Sequence, residues 1–169
     1  ADNPPATATL TLTASDLGNT GSGGTLTAAD TATINITPVN DAPLLAGGST
    51  LNYVENQTGR VINGSITVAD ADNTTLSSAT VRISGNFQAG QDVLAFTSGA
   101  AFGNIAGSYD AGSGVLTLSS AGGTATLAQW QAALRAVTYA NTSDNPLTLA
   151  RSFGVPVLSA FRRIALRAG

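Results

Sequence analysis

With 169 residues the chain has room for one full domain and part of another, which excludes an architecture built round a cleft between several large catalytic domains. It contains no His, Cys, Lys or Met, so imidazole bases, thiolate nucleophiles, Schiff-base amines, Walker lysines, disulfides and thiolate metal sites are excluded by inventory. Residues 1–150 hold all 10 acids with three Arg, a charge of −7, and residues 151–169 hold four Arg, a charge of +4; the acidic body lacks the footprint of a nucleic-acid or anionic-lipid binder but attracts divalent cations.

The first five residues, Ala1-Asp2-Asn3-Pro4-Pro5, and the absence of Met make the chain read as an internal fragment of something longer, with no signal peptide and no membrane span. Hydrophobic residues make up 43% and charged residues 10%, and a chain so poor in Lys and Glu and rich in Thr disfavours helix. Residues 7–14 alternate strictly: Ala8, Leu10, Leu12 and Ala14 fall on one face and Thr on the other, as in a half-buried antiparallel strand. A turn-forming run from Asp16 to Gly24 follows. Ala32, Ile34 and Ile36 then alternate with polar residues, so the two strands are expected to pair across a glycine loop.

Pro38 and Pro43 bracket Val39-Asn40-Asp41-Ala42 and deny ladder hydrogen bonds on both sides, which predicts a domain boundary. Beyond it, strands are expected near 51–54, 61–69, 79–84, 92–97, 115–118, 136–140 and 147–153, a number and spacing that suit a sandwich. One segment departs from this: Leu127, Trp130, Leu134 and Val137 recur at helical spacing from Thr126, predicting a short helix with its Trp inward.

An internal repeat is also visible. Asp2-Asn3-Pro4 leads into a Thr-Leu-Thr-Leu pattern, and Asp144-Asn145-Pro146 leads into Leu147-Thr148-Leu149. By that register residues 1–41 are the last strands and linker of one repeat, and residues 42–150 are nearly all of the next. A second glycine loop and proline linker should follow Leu149. Residues 151–169 instead form a basic tail that includes Arg151, Arg162, Arg163 and Arg167, read either as a frameshifted or misassembled end or as a basic amphipathic helix or Arg-rich anchor.

The segments Val39-Asn40-Asp41-Ala42-Pro43, Val54-Glu55-Asn56 with Gly59, Val68-Ala69-Asp70-Ala71-Asp72, Gly90-Gln91-Asp92-Val93-Leu94-Ala95-Phe96 and Ala133-Leu134-Arg135-Ala136-Val137-Thr138-Tyr139 resemble cadherin-like tandem repeats. The likeness is to those of giant bacterial surface adhesins and RTX-type secreted proteins, over roughly residues 5–150. The resemblance implies an all-β, antiparallel Greek-key β-sandwich of cadherin or immunoglobulin type with one short helix, preceded by a partial upstream repeat. It also implies Ca2+ at the junction between repeats, held by Asn40 and Asp41 of the linker and by Asp70 and Asp72 of the following repeat. Glu55 would face the next junction and Asp16 the previous one, and Asp92 is a further candidate, with a turn or bulge Asp as its plain alternative.

The chemistry is reasonable in itself: calcium is a hard cation that needs several oxygens, and carboxylates from separate segments supply them. Asp70 does not open an EF-hand, because the sixth position is Thr75 where Gly is required and the twelfth is Val81 where Glu is required. Nor do Asp70 and Asp72 suggest a glycosidase pair, which needs two carboxylates flanking a bond and one raised pKa. The five Asn-x-Ser/Thr sequons, at Asn35, Asn56, Asn63, Asn73 and Asn141, arise from a Thr-rich composition.

The expected function is therefore a non-enzymatic, calcium-stiffened structural or adhesive module of a large bacterial cell-surface or secreted protein, serving cell adhesion and biofilm and exported by type I secretion. Its partners would be neighbouring repeats of the same chain. The alternative is a glycan- or protein-binding β-sandwich without structural calcium, recognising host or matrix molecules through its loops.

Overall fold

The computed structural model describes residues 4–18, 21–154 and 157–158, the last pair by backbone alone. Its contacts divide the chain into two compact units, residues 1–41 and residues 42–169.

In the first unit, β1 (Thr7–Ser15) and β2 (Thr27–Asn35) pair antiparallel in unbroken register from Thr7 opposite Asn35 to Ser15 opposite Thr27. Directly opposed residues share a face, so Ala8, Leu10 and Leu12 lie beside Ile34, Ala32 and Asp30. The connection is fixed by Asp16, whose Oδ1 accepts from Gly18 N and Leu26 N, both at 2.9 Å. Leu17 and Gly18 take left-handed backbone there, at φ 54° and 73°. The apolar face is open: Leu10 is 50%, Leu12 56% and Ile34 50% exposed. The sheet is two-stranded, and no further strand lies along β1 among the described residues.

The second unit is an all-β sandwich with one helix. Its strands are β3 (Leu44–Ala46), β4 (Arg60–Val61), β5 (Thr67–Ala69), β6 (Thr75–Leu76), β7 (Ser78–Gly85), β8 (Asp92–Ala95), β9 (Ile105–Asp110), β10 (Val115–Ser120), β11 (Ala125–Thr126), β12 (Thr138–Asn141), β13 (Ser152–Gly154) and β14 (Val157–Leu158). One sheet runs in the order β13-β7-β10-β9, with β14 also on β7; another runs β4-β12-β8; and β3 with β5 and β6 with β11 form short pairs, all antiparallel.

Period-two alternation fixes which face is buried. Ala79, Val81 and Ile83 of β7 and Leu116, Leu118 and Ser120 of β10 turn inward onto Leu76, Leu94, Ile105 and Trp130. Helix α1 (Leu127–Arg135) starts on a capping box: Thr126 Oγ1 accepts from Gln129 N at 3.2 Å, and Gln129 Oε1 accepts from Thr126 N at 2.9 Å. Its inner face buries Trp130, Ala133 and Leu134, and Trp130 Nε1 donates to Leu76 O at 2.9 Å, so the indole enters the core with its donor satisfied.

Several expected elements differ in place. The strand expected over 51–54 is absent; that segment is irregular and ends in a turn, where Gln57 N donates to Val54 O and Asn56 has φ 61°. The strand expected over 147–153 begins only at Ser152, because the carbonyls of Leu147 and Leu149 turn to the Arg151 guanidinium at 2.6 and 2.8 Å and not to a ladder. The basic segment consequently starts inside the fold: Arg151 and β13 belong to the second unit. The rest of the 151–169 tail to which the frameshift or anchor reading applies, residues 155–156 and 159–169, lies outside the described residues.

Candidate functional site

The strongest of the expected calcium residues sits where β5 gives way to β6. Thr67–Ala69 pairs with β3, and the chain must then turn into β6 within residues 70–74. Asp70 makes that turn: its Oδ1 accepts from Asp72 N at 2.9 Å, Asn73 N at 2.7 Å and Asn73 Nδ2 at 3.1 Å. Three donors on one oxygen hold the carboxylate in a single orientation. Its other oxygen, Oδ2, is buried and has no hydrogen-bond partner. A half-buried carboxylate with one oxygen spent on the loop and the other removed from water and unmatched is the arrangement that a cation would complete.

The remaining candidates are distributed as follows. Asn40 and Asp41 belong to the first unit, where Asn40 Nδ2 donates to the Asp41 carbonyl at 3.0 Å. Glu55 is exposed in the turn after Tyr53. Among the described residues no three Asp, Glu, His or Cys side chains come together as a metal site. Asp16 is engaged with the backbone of its own loop, and the Gly18 and Leu26 N–H groups hold its pKa below the usual carboxylate value.

Asp92 is different in kind. It is 1% exposed, at the start of β8 in phase with buried Leu94, and therefore points into the sandwich. Tyr139 OH at 2.6 Å and Asn141 Nδ2 at 2.7 Å donate to Oδ1; Gln88 N at 2.8 Å and Arg151 Nε at 3.2 Å donate to Oδ2. Burial pushes its pKa upward, but the Tyr139 hydroxyl, the Gln88 N–H, Asn141 and Arg151 together hold it below the usual value. Both oxygens are thus committed to protein donors, so the calcium expectation for Asp92 gives way to a structural carboxylate inside the core. It also closes the turn that starts at Gln88, its own N–H donating to the Gln88 carbonyl at 3.0 Å, as the plain alternative had it. Its inward phase with Leu94 was readable in the sequence; its partner Arg151 was not, because that residue opens the segment whose composition looks foreign.

A comparison with characterised proteins finds 33% identity over 115 residues to halomucin of Haloquadratum walsbyi (strain DSM 16790 / HBSQ001). The match takes in 68% of this chain and 1% of halomucin, so the chain corresponds to a small segment of a very long relative. No family model matches the chain, and no solved structure matches it. Among the described residues no helix is long and apolar enough to cross a membrane.

Proposed function

We propose that the chain is part of a tandem array of β-sandwich modules in a large extracellular surface protein, and that calcium at the unit junction stiffens the array. The observation that carries the tandem reading is an equivalence between strands. The segment after Asp144-Asn145-Pro146 leads into β13, which lies against β7, and the segment after Asp2-Asn3-Pro4 leads into β1, whose apolar face is exposed. A strand that lies on a sandwich in one unit therefore has its counterpart in a hairpin that needs one. The likeness to a short stretch of a very long protein supports the same reading.

Calcium is supported by Asp70. The unmatched Oδ2 fits a hard cation, and the resemblance implies Asp72, Asn40 and Asp41 as further oxygen donors. When bound, the ion would neutralise the carboxylates and restrict the linker; the chain's own contribution is the Asp70 loop, which is oriented beforehand by three N–H donors. The function is mechanical and non-catalytic. Recognition of glycans has less support, because Tyr53, Tyr139 and Phe153 spend their rings on one another, with centroids 5.1 and 5.6 Å apart, instead of forming an open platform.

Calorimetric titration of the full chain with calcium, with limited proteolysis at residues 38–43 and small-angle scattering in the same buffers, tests this. Calcium should bind, slow cleavage of the linker and narrow the distribution of dimensions, and Asp70→Asn should weaken binding by about tenfold or more. Linker cleavage and scattering that ignore calcium would remove the stiffening function.

A further inference from the structure

We infer that Arg151 and Asp92 form a buried latch, and that this latch, more than ladder pairing, holds the closing segment of the sandwich, residues 145–154, shut over the core. The inference rests on the geometry of the second unit alone and is independent of calcium and of the tandem reading.

The closing segment is weakly held by its backbone. β13 has three residues, Ser152–Gly154, and its register on β7 shifts between Ser152 and Phe153. Solvent-open clefts of about 510 and 820 Å³ border it, both lined by Arg151 and Phe153. The packing of this strap rests mainly on Phe153, whose ring meets Tyr139 with centroids 5.6 Å apart. Two neutral hydrogen bonds tie it from exposed positions, Asn86 Nδ2 to Ala150 O at 2.7 Å and Ser84 Oγ to Ser152 O at 3.2 Å.

The charge pair is of another order. Arg151 Nε lies 3.2 Å from Asp92 Oδ2, with the two side chains 8% and 0% exposed. The anchor is built without the strap: Tyr139, Asn141 and Gln88 fix the carboxylate from β12 and from the segment before β8. From that anchor the guanidinium organises the strap itself, donating through Nη1 to the carbonyls of Leu147 and Leu149. Lifting the strap would leave Asp92 as an anion without its cation and would widen the first cleft, whose floor includes the buried Ile66, Val81, Leu134 and Val137.

Hydrogen exchange by mass spectrometry on the full chain tests the latch. In Arg151→Met, the amides of β13 and of its β7 partners should exchange about tenfold faster or more, with β9 and β10 unchanged. Arg151→Lys, which keeps the charge, should recover part of the protection. The double variant Asp92→Asn/Arg151→Met, which carries no unpaired buried charge and serves if the single variant does not fold, should show strap exchange equal to that of Arg151→Met and not faster, since the two residues act as one unit. Strap protection within about twofold of the parent in either variant, or acceleration of β9 and β10 by the same factor as the strap, would overturn the latch.

Discussion

A carboxylate buried as fully as Asp92 stays ionised only when its surroundings replace water, and four donors do so here. Its folded pKa lies below 3.8, so the stability it contributes is present above the ordinary carboxylate range and is lost only as pH falls through the depressed value. Tyr139 behaves in the opposite sense. Burial and the adjoining Asp92 carboxylate push its hydroxyl from 10.0 up to about 12, so its contribution is complete below pH 10 and disappears as pH rises from there to about 12. That window corresponds to about 2–3 kcal/mol. Tyr139→Phe should therefore flatten the stability profile between pH 10 and 12 and cost about 1–3 kcal/mol at neutral pH, because Asp92 loses a hydrogen bond. Denaturant midpoints followed by the fluorescence of the single Trp, at position 130, would measure both, and an alkaline profile identical to the parent's would contradict the assignment. A second residue-scale case is Gly47, at φ 101°, where an added Cβ would lie 2.7 Å from the Ser65 carbonyl oxygen. Gly47→Ala combines backbone strain with a clash against main chain, and a loss of about 3 kcal/mol is expected in thermal unfolding.

Among the elements, α1 was readable because helix-forming residues and apolar positions at 3.6-residue spacing agree, and the structure adds the Thr126–Gln129 capping box. Removing that box should have a measurable but limited effect. Thr126→Ala should cost about 1 kcal/mol, seen as a lower denaturant midpoint, with the Trp130 indole still bonded to Leu76. β1, β2, β7 and β10 were readable from alternation, since in each the more apolar residues fall on one face and the polar ones on the other. β9 was not: in Ile105–Asp110 only Ile105 is buried, and Gly107 leaves no side chain where Leu118 and Phe96 close in. β3, β6 and β11 are too short for any period to register. The candidate site divides the same way. Asp70-Ala71-Asp72 is a local turn and its chemistry is visible in sequence, whereas the Asp92–Arg151 pair joins residues 59 positions apart, one of them in a segment that looks unlike the rest.

At the scale of the whole chain, the two units differ in what they bury. The second has a core centred on Trp130, Leu76 and Leu118, while the first has a regular hairpin with Leu10, Leu12 and Ile34 about half exposed. The tandem reading assigns that face a partner. If β1 is the counterpart of β13, the natural neighbour of β1 is a strand like β7. A chimera in which residues 42–151 run directly into residues 9–41 realises this arrangement. It keeps Arg151 in place for Asp92 and substitutes seven of the nine residues of β1, residues 9–15, for the bulged three-residue β13. Burying the exposed halves of Leu10, Leu12 and Ile34 should add about 3 kcal/mol. For a chain of this size that corresponds to a rise in melting temperature on the order of 10 °C. The β1 amides should then exchange as slowly as those of β7, in a single cooperative unfolding transition. β1 amides as open as in the parent chain, with no gain in melting temperature, would show that the hairpin's apolar face belongs to some other partner.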